Sequence, residues 1–346
     1  MVAAAWTSMK ANQERLLATI CLMSFVMLLG LFNMTKPRIL VIHSGNKDSE
    51  WVSTMDRGMK NFLDKNRRPI TIEWLYLKLS NQTTEARARQ AQAEARRAIL
   101  RMQPELIIAV DDEANQLIAR HYINKKNIKI IYVSLTRSPE SYGYLQATNV
   151  SGISEKLPFT GIKKAILDLP MKRWPRIWAV GSNTVTGRAE IEQFKSMNWS
   201  PLNVANVRLV STTREWKDFS SRIPESDILI ALNSKGLANS EENISSDNHT
   251  DQWTQKDAKN LVIGTQIEFV KDGGALSFSP PADDYGEQAI SMALDWLDQR
   301  QTPGPPKPVE SNHFSVSARP SALERKGIEL PQIYIEAARA SKQLFH

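Results

Sequence analysis

Five apolar residues, Leu106-Ile107-Ile108-Ala109-Val110, run without a polar interruption and stop at Asp111-Asp112-Glu113. A run this short, with no polar residue at either alternate position, suits a strand buried on both faces. Comparable runs recur at Arg38–His43, Lys129–Val133, Arg176–Val180, Asp227–Leu232 and Leu261–Gly264. Helical stretches separate them. In 49–65, Trp51, Met55, Met59 and Phe62 fall on one side; 84–102 is rich in Ala, Arg and Gln; 187–197 and 284–300 follow the same logic. Strands separated by helices indicate βαβ units and a parallel sheet. Ligands of open parallel sheets sit beyond the carboxyl ends of the strands. Asp111 and Asp112 stand at such an end. Asp is also a favoured helix N-cap, so either carboxylate has a purely structural alternative.

The chain has 346 residues, enough for two domains with full cores. The pattern predicts two doubly wound α/β halves in tandem. The second half runs through Gly161–Leu169, Arg176–Val180, Gly187–Met197, Asn206–Val210, Asp227–Leu232 and Leu261–Gly264. The polar stretch 236–254 reads as a loop, and 302–308, with four prolines, as a rigid crossover. The formal charge of +7 is spread over the whole length and names no partner. Arg87, Arg89, Arg96, Arg97 and Arg101 crowd one helix, but Glu85 and Glu94 interrupt them and no aromatic is interleaved. That helix reads as a solvated face, and no nucleic-acid partner is expected. One cysteine, Cys21, excludes an intrachain disulfide. Five scattered histidines leave no zinc spacing, and no metal or cofactor is expected. Phosphate-binding loops, dinucleotide turns and nucleophile elbows are absent, so an enzyme is not expected.

Leu16–Phe32 carries no charge in 17 residues. As a helix it would be about 26 Å long, near the lower limit for a bilayer span. A cleaved leader would need small residues after the run, and Asn33 and Lys36 fit poorly there. An uncleaved anchor over 16–34, behind a cytoplasmic 1–15, is the favoured reading. It places the main domain outside the inner membrane, with the lipid bilayer as a partner through Leu16–Phe32.

A resemblance covers about residues 37 to 340. Arg38-Ile39-Leu40-Val41-Ile42-His43-Ser44, Glu50-Trp51 and Asp56-Arg57-Gly58 resemble the first strand and helix of a known family. So do Asp111-Asp112-Glu113-Ala114 after the central strand, and Asn149–Glu155 at the entry to a second lobe. Gly273-Gly274-Ala275-Leu276, Asp284–Ala289, Ala322-Leu323, Gly327-Ile328, Leu330-Pro331 and Ala337 continue the order. The chain is similar to ABC-transporter substrate-binding proteins of the type I periplasmic-binding-protein fold, whose better-known members take up aromatic amino acids and other small solutes. It departs from them at Gly45-Asn46, Ser134-Leu135-Thr136 and Phe314-Ser315-Val316.

The resemblance implies two lobes that close on a small solute. Their expected extents are 37–150 plus 277–305, and 151–276 plus 306–346. It implies an ABC permease as partner, or a membrane sensor protein for a tethered ligand-sensing subunit. Expected ligand contacts in the first lobe are Ser44, Trp51, Asp111, Asp112, Ser134 and Thr136. In the second lobe they are Glu155, Ser182, Asn183, Thr184, Asn233 and Gln266. Asp111 or Glu155 would pair with a ligand cation, and Ser182–Thr184 would bind a carboxylate or hydroxyl. Trp51 would stack on a flat ligand or pack into the core.

Overall fold

The computed structural model describes residues 17, 19–28, 30, 36–79, 84–171, 173–238, 254, 256–298, 304–311 and 313–346. It contains two six-stranded sheets. The first runs β11(Val309–Ser311), β5(Val150–Glu155), β4(Lys129–Leu135), β3(Leu106–Val110), β1(Arg38–His43), β2(Thr71–Tyr76), all parallel. The second runs β12(Ser315–Ala318), β10(Leu276–Ser279), β9(Leu261–Gly264), β8(Ile228–Ala231), β6(Arg176–Ser182), β7(Asn203–Val210). Only β12 is antiparallel to its neighbour. In each sheet the strand order reverses once, beside β1 and β3 in the first lobe and β6 and β8 in the second. These are the switch points where a parallel sheet opens a crevice.

The central strands show why an unbroken apolar run is needed. Leu40, Ile42, Ile107 and Ala109 face α2(Glu85–Met102), whose Ala91, Ala95 and Ala98 permit close approach. Ile39, Val41, Leu106 and Ile108 face α1(Glu50–Asn66) and α8(Ala282–Leu297). All eight strand side chains are 0 % exposed. Burying a Val, Leu or Ile side chain fully is worth about 1.5–3 kcal/mol, so polar substitutions on either face would be costly. Ser49 caps α1 and Thr84 caps α2, each accepting from a backbone N–H in the first turn.

α1 and α8 touch backbone to backbone. A Cβ on Gly58 would lie 2.0 Å from the carbonyl oxygen of Asp283, and one on Gly286 would lie 2.1 Å from that of Met55. Glycine is required at both positions by this approach. The contact fixes α8 on the first lobe although the strand before it, β10, lies in the second sheet.

The chain crosses between lobes at different points from those expected. β5 pairs with β4, so 150–155 belongs to the first sheet, and the first crossing follows Glu155. β10 pairs with β9 and β12, so 277–279 lies in the second sheet. β11 pairs with β5, so 309–311 lies in the first. These corrections have one cause: a short connecting strand joins whichever edge is open to it, and its own residues do not specify which. The second lobe adds α4(Phe159–Asp168), α5(Val185–Ser196), α6(Thr213–Ser220), α7(Ile267–Lys271), α9(Pro320–Glu324) and α10(Gln332–Ala340).

Among the described residues no helix is long and apolar enough to cross a membrane. Residues 19–28 are helical, with Leu22, Met23, Phe25, Val26, Met27 and Leu28 all exposed. The rest of the expected 16–34 anchor, apart from Leu17 and Gly30, lies outside the described residues, as do 1–15 and most of 236–254.

Candidate functional site

An open cleft of about 1290 Å³ lies between the carboxyl ends of the two sheets. At the switch point of the first lobe the Ser44 hydroxyl, just beyond β1, donates to the carbonyl of Val110 at 3.0 Å. It accepts from the N–H of Ala114 at 2.9 Å. Ser44 therefore borders the cleft but spends its polar capacity joining β1 to α3(Asp111–Leu117).

Asp111 opens α3 in a left-handed conformation, with φ at 68°. Such backbone costs about 1–3 kcal/mol in a non-glycine residue and persists only where the surroundings impose it. Here Asn115 imposes it, donating to the carbonyls of Ala109 and Asp111 at 3.0 and 2.8 Å. The strained turn aims the Asp111 carboxylate into the cleft, where Trp51 Nε1 donates to it at 3.3 Å. Trp51 itself stands edge-on to Tyr285, ring centroids 6.1 Å apart. The indole thus has both a hydrogen bond and a packing partner, and one side of it borders the cleft. Asp111 keeps solvent contact along the cleft, and protein crowds it elsewhere. Burial pushes its carboxyl well above the usual range, and the neighbouring Glu113, Glu155 and Asp112 push it further. Trp51 opposes this only in part.

Asp112 does not cap the helix, because Val110 occupies the N-cap position. Its buried carboxylate accepts instead from the N–H groups of Thr136 and Arg137, at 3.4 and 3.3 Å, and from the Tyr142 hydroxyl. Burial still raises it, those hydrogen bonds notwithstanding. Ser134, at the end of β4, is likewise left-handed, with φ at 58°, and donates to Glu155. Burial, then the nearby Glu190 and Asp112, raises Glu155 to about 8.

Glu190 is not among the expected contacts. It sits within α5, 3 % exposed, and its carboxylate accepts from the N–H of Asn233 at 2.8 Å. Burial, reinforced by Asp112 and opposed by Lys235, raises it to about 7. A single carboxylate inside a helix carries no local mark of function. The one available signal is its place next to Gly187 and Ala189, small residues that mark the buried face of α5.

The second lobe differs from expectation at one strand end. Ser182, Asn183 and Thr184 do not line the cleft. The Ser182 hydroxyl pairs with that of Thr184 at 3.0 Å, Thr184 caps α5, and Asn183 binds Arg188 and Ser211 on an exposed surface. The cause is the helix start: the turn needs a capping oxygen, and Thr184 supplies it. Thr186, two residues further, faces the cleft in their place. Asn233 and Gln266 do border it. Asn233 Oδ1 accepts from the N–H of Lys235 at 2.8 Å, which leaves its amide nitrogen for other partners.

Two links join the lobes beside the cleft. Gln193 of α5 donates to the carbonyls of Thr136 and Glu155, both at 3.2 Å, and accepts from Leu157 N–H at 3.0 Å. Lys271 of α7 pairs with Glu50 of α1 at 2.8 Å. His43 is fully buried outside the cleft, held by Asp56 at 2.9 Å and stacked on Tyr76. Among the described residues no three His, Cys, Asp or Glu side chains are placed to hold a metal ion.

No family model and no curated protein matches the sequence. Solved structures match the fold. The ABC domain from Streptococcus pneumoniae in complex with L-Trp aligns over 90 % of this chain and 100 % of its own, with TM-score 0.65 and 15 % identity. A periplasmic ribose ABC transporter protein from Conexibacter woesei aligns over 84 % and 94 %, with TM-score 0.55 and 13 % identity. The XylFII–LytSN complex aligns over 82 % and 98 %, with TM-score 0.52 and 12 % identity. Two α/β lobes with parallel-sheet cores match the type I periplasmic-binding fold.

Proposed function

We propose that this chain is a membrane-tethered solute-binding protein that closes its lobes on a small molecule bearing a cationic group. The observation that carries this is the acidic wall of the cleft. Asp111, Glu155 and Glu190 are crowded by protein and one another, each pushed toward its protonated form, with Trp51 as the one polar donor beside Asp111. A charge is costly to desolvate without a partner. An ammonium or guanidinium placed there would relieve that cost, and Trp51 gives it an aromatic neighbour.

The fold supports delivery to an ABC permease as the first role. The XylFII–LytSN complex among the neighbours supports a second one, in which occupancy is reported to a membrane partner. Genomic context separates them: an adjacent permease and ATPase favour transport, an adjacent sensor kinase favours sensing. The tether is argued from Leu16–Phe32. Exposed Leu22, Phe25, Val26 and Leu28 on one short helical stretch need an apolar surrounding that the two lobes do not supply.

A thermal-shift screen of the detergent-solubilised full chain tests the ligand class, with panels of amines, neutral sugars and dicarboxylates. A ligand at a hundredfold excess over its dissociation constant adds about 2.7 kcal/mol. Stabilisation confined to amines supports the reading, and stabilisation by dicarboxylates alone sinks it.

A further inference from the structure

All strands of the first sheet are parallel, so all of them begin on the face opposite the cleft. The loops that enter them share that face. Among the described residues they carry Lys36, Arg67, Arg68, Lys125, Lys126 and Lys307 against two carboxylates, Glu105 and Asp298. Arg67, Arg68, Lys125, Lys126 and Lys307 are exposed. Arg68 donates to the carbonyl of Leu294 at 3.4 Å and stands 3.9 Å from Asp295, and Glu105 stands 3.8 Å from Arg38. The second sheet offers an internal control. The described loops entering its strands balance Arg173, Arg222 and Lys259 with Glu225, Asp227 and Asp272. The excess on the first lobe is therefore not a uniform consequence of a basic chain.

Two large apolar side chains stand near those cations. Leu100, in the last turn of α2, is 66 % exposed, and Leu145, in the loop before β5, is 69 % exposed. That loop is tied to the 123–128 loop by a 3.0 Å hydrogen bond from Thr148 N–H to Asn124. Leucines set among lysines and arginines suit a boundary where apolar tips enter lipid and cations meet headgroups.

The covalent path points the same way. Only four steps of chain separate Phe32, the end of the apolar run, from Lys36 on this face. Fully extended they reach about 14 Å. The screening length at physiological salt is about 8 Å, so a face held this near a bilayer lies close to the reach of its surface potential. We infer that the strand-entry face of the first lobe docks on anionic lipid headgroups, with Leu100 and Leu145 at the interface. This rests on the tether reading for its geometry. Docked so, the first lobe is held with the cleft turned away from the bilayer, and the second lobe stays free to open and close.

The test uses the full chain with Cys21→Ser and a single fluorophore on Leu145→Cys, incorporated into vesicles containing a lipid-attached quencher. One set is phosphatidylcholine, and in the other a third of the lipid is phosphatidylglycerol. A matching label on Trp174→Cys, exposed in the second lobe before β6, serves as control. We expect severalfold stronger quenching of the Leu145 label in anionic vesicles than in neutral ones. That quenching should be lost at about 1 M salt, where screening shortens to about 3 Å, and the Trp174 label should stay unquenched throughout. Quenching independent of lipid charge, equal at both labels, or absent while the protein floats with the vesicles overturns the inference and leaves the tether intact. Protein that fails to float with neutral vesicles defeats the tether. Binding and quenching in anionic vesicles alone would then show that the basic face acts without it.

Discussion

The two walls of the cleft are built on sheets of nearly the same order and differ at the turns that leave the strands. On the first lobe, Lys78 after β2, Asp111 after β3 and Ser134 at the end of β4 all adopt positive φ. On the second, among the described residues, the strand ends Ser182, Asn233 and Thr265 do not. The first wall presents the carboxylates Asp111, Asp112 and Glu155; the second presents the neutral groups Thr186, Asn233 and Gln266 with the buried Glu190, and carries Lys235, Glu268, Lys271 and Lys342 at its more exposed positions. Strain and desolvated charge are therefore concentrated on one side. On the proposed function, the first lobe would set which solute is held, and the second would close over it.

Four experiments would erase or refine this asymmetry. The largest effect concerns what belongs to which lobe. Gly286→Val would drive a side chain into the Met55 carbonyl and pry α8 from α1. Overpacking of this kind costs about 1–3 kcal/mol or more. Chemical denaturation should show that loss, and a neutral outcome would mean α8 is not locked to the first lobe.

Next is affinity. Asp111→Asn keeps the shape and removes the charge, and should weaken binding of the stabilising amine at least tenfold, about 1.4 kcal/mol. Gln266→Ala on the opposite wall should cost less than half as much. Calorimetric titration compares them. Equal losses would erase the division of labour. Normal binding by the Asp111 variant, with lower stability, would make that carboxylate structural.

The unliganded protein should also report the crowding through pH. Glu155 and Glu190 are raised above the ordinary carboxylate value, so between about pH 4.5 and their folded values near 8 and 7 the native state holds more protons than the unfolded one. Stability must then fall as pH rises through that window. A tenfold change in a proton-binding equilibrium corresponds to about 1.4 kcal/mol, so the fall should be easily resolved. Melting curves from pH 5 to 8.5 should decline, and Glu155→Gln should flatten the decline. A wild-type curve that rises across the window would contradict the crowding.

The smallest effect is at the cleft edge. Lys271→Ala removes the partly exposed pair with Glu50, worth about 1 kcal/mol or less. Small-angle scattering should show a slightly more open average shape at low salt. No difference would assign lobe position to Gln193 alone.

Much of this architecture is legible in the sequence. An apolar run such as Leu106–Val110 has one comfortable fate, and the alternation of such runs with helices points to parallel sheets. Asp111 at a strand end follows from the same pattern. The features that escape such a reading are long-range. Val150–Glu155, Leu276–Ser279 and Val309–Ser311 have the local character of strands or turns, but which sheet they join depends on edges built by distant residues. Ser182–Thr184 resembles Asp111–Glu113, a polar stretch after an apolar strand, yet the helix start consumes Thr184 as a cap. Glu190 stays hidden because burial of one helix face is decided by packing. The positive φ of Asp111 and Ser134 has no local sign at all, since neither is glycine.

The acidic wall itself is probed by the thermal shift that the best amine gives at pH 5.5 and at pH 8, on the full chain. A cation bound by crowded carboxylates must compete with their protons. We expect a clearly larger shift at pH 8, with that difference removed in Asp111→Asn. A shift that is equal at both values, or larger at pH 5.5, would contradict a cation held by these carboxylates.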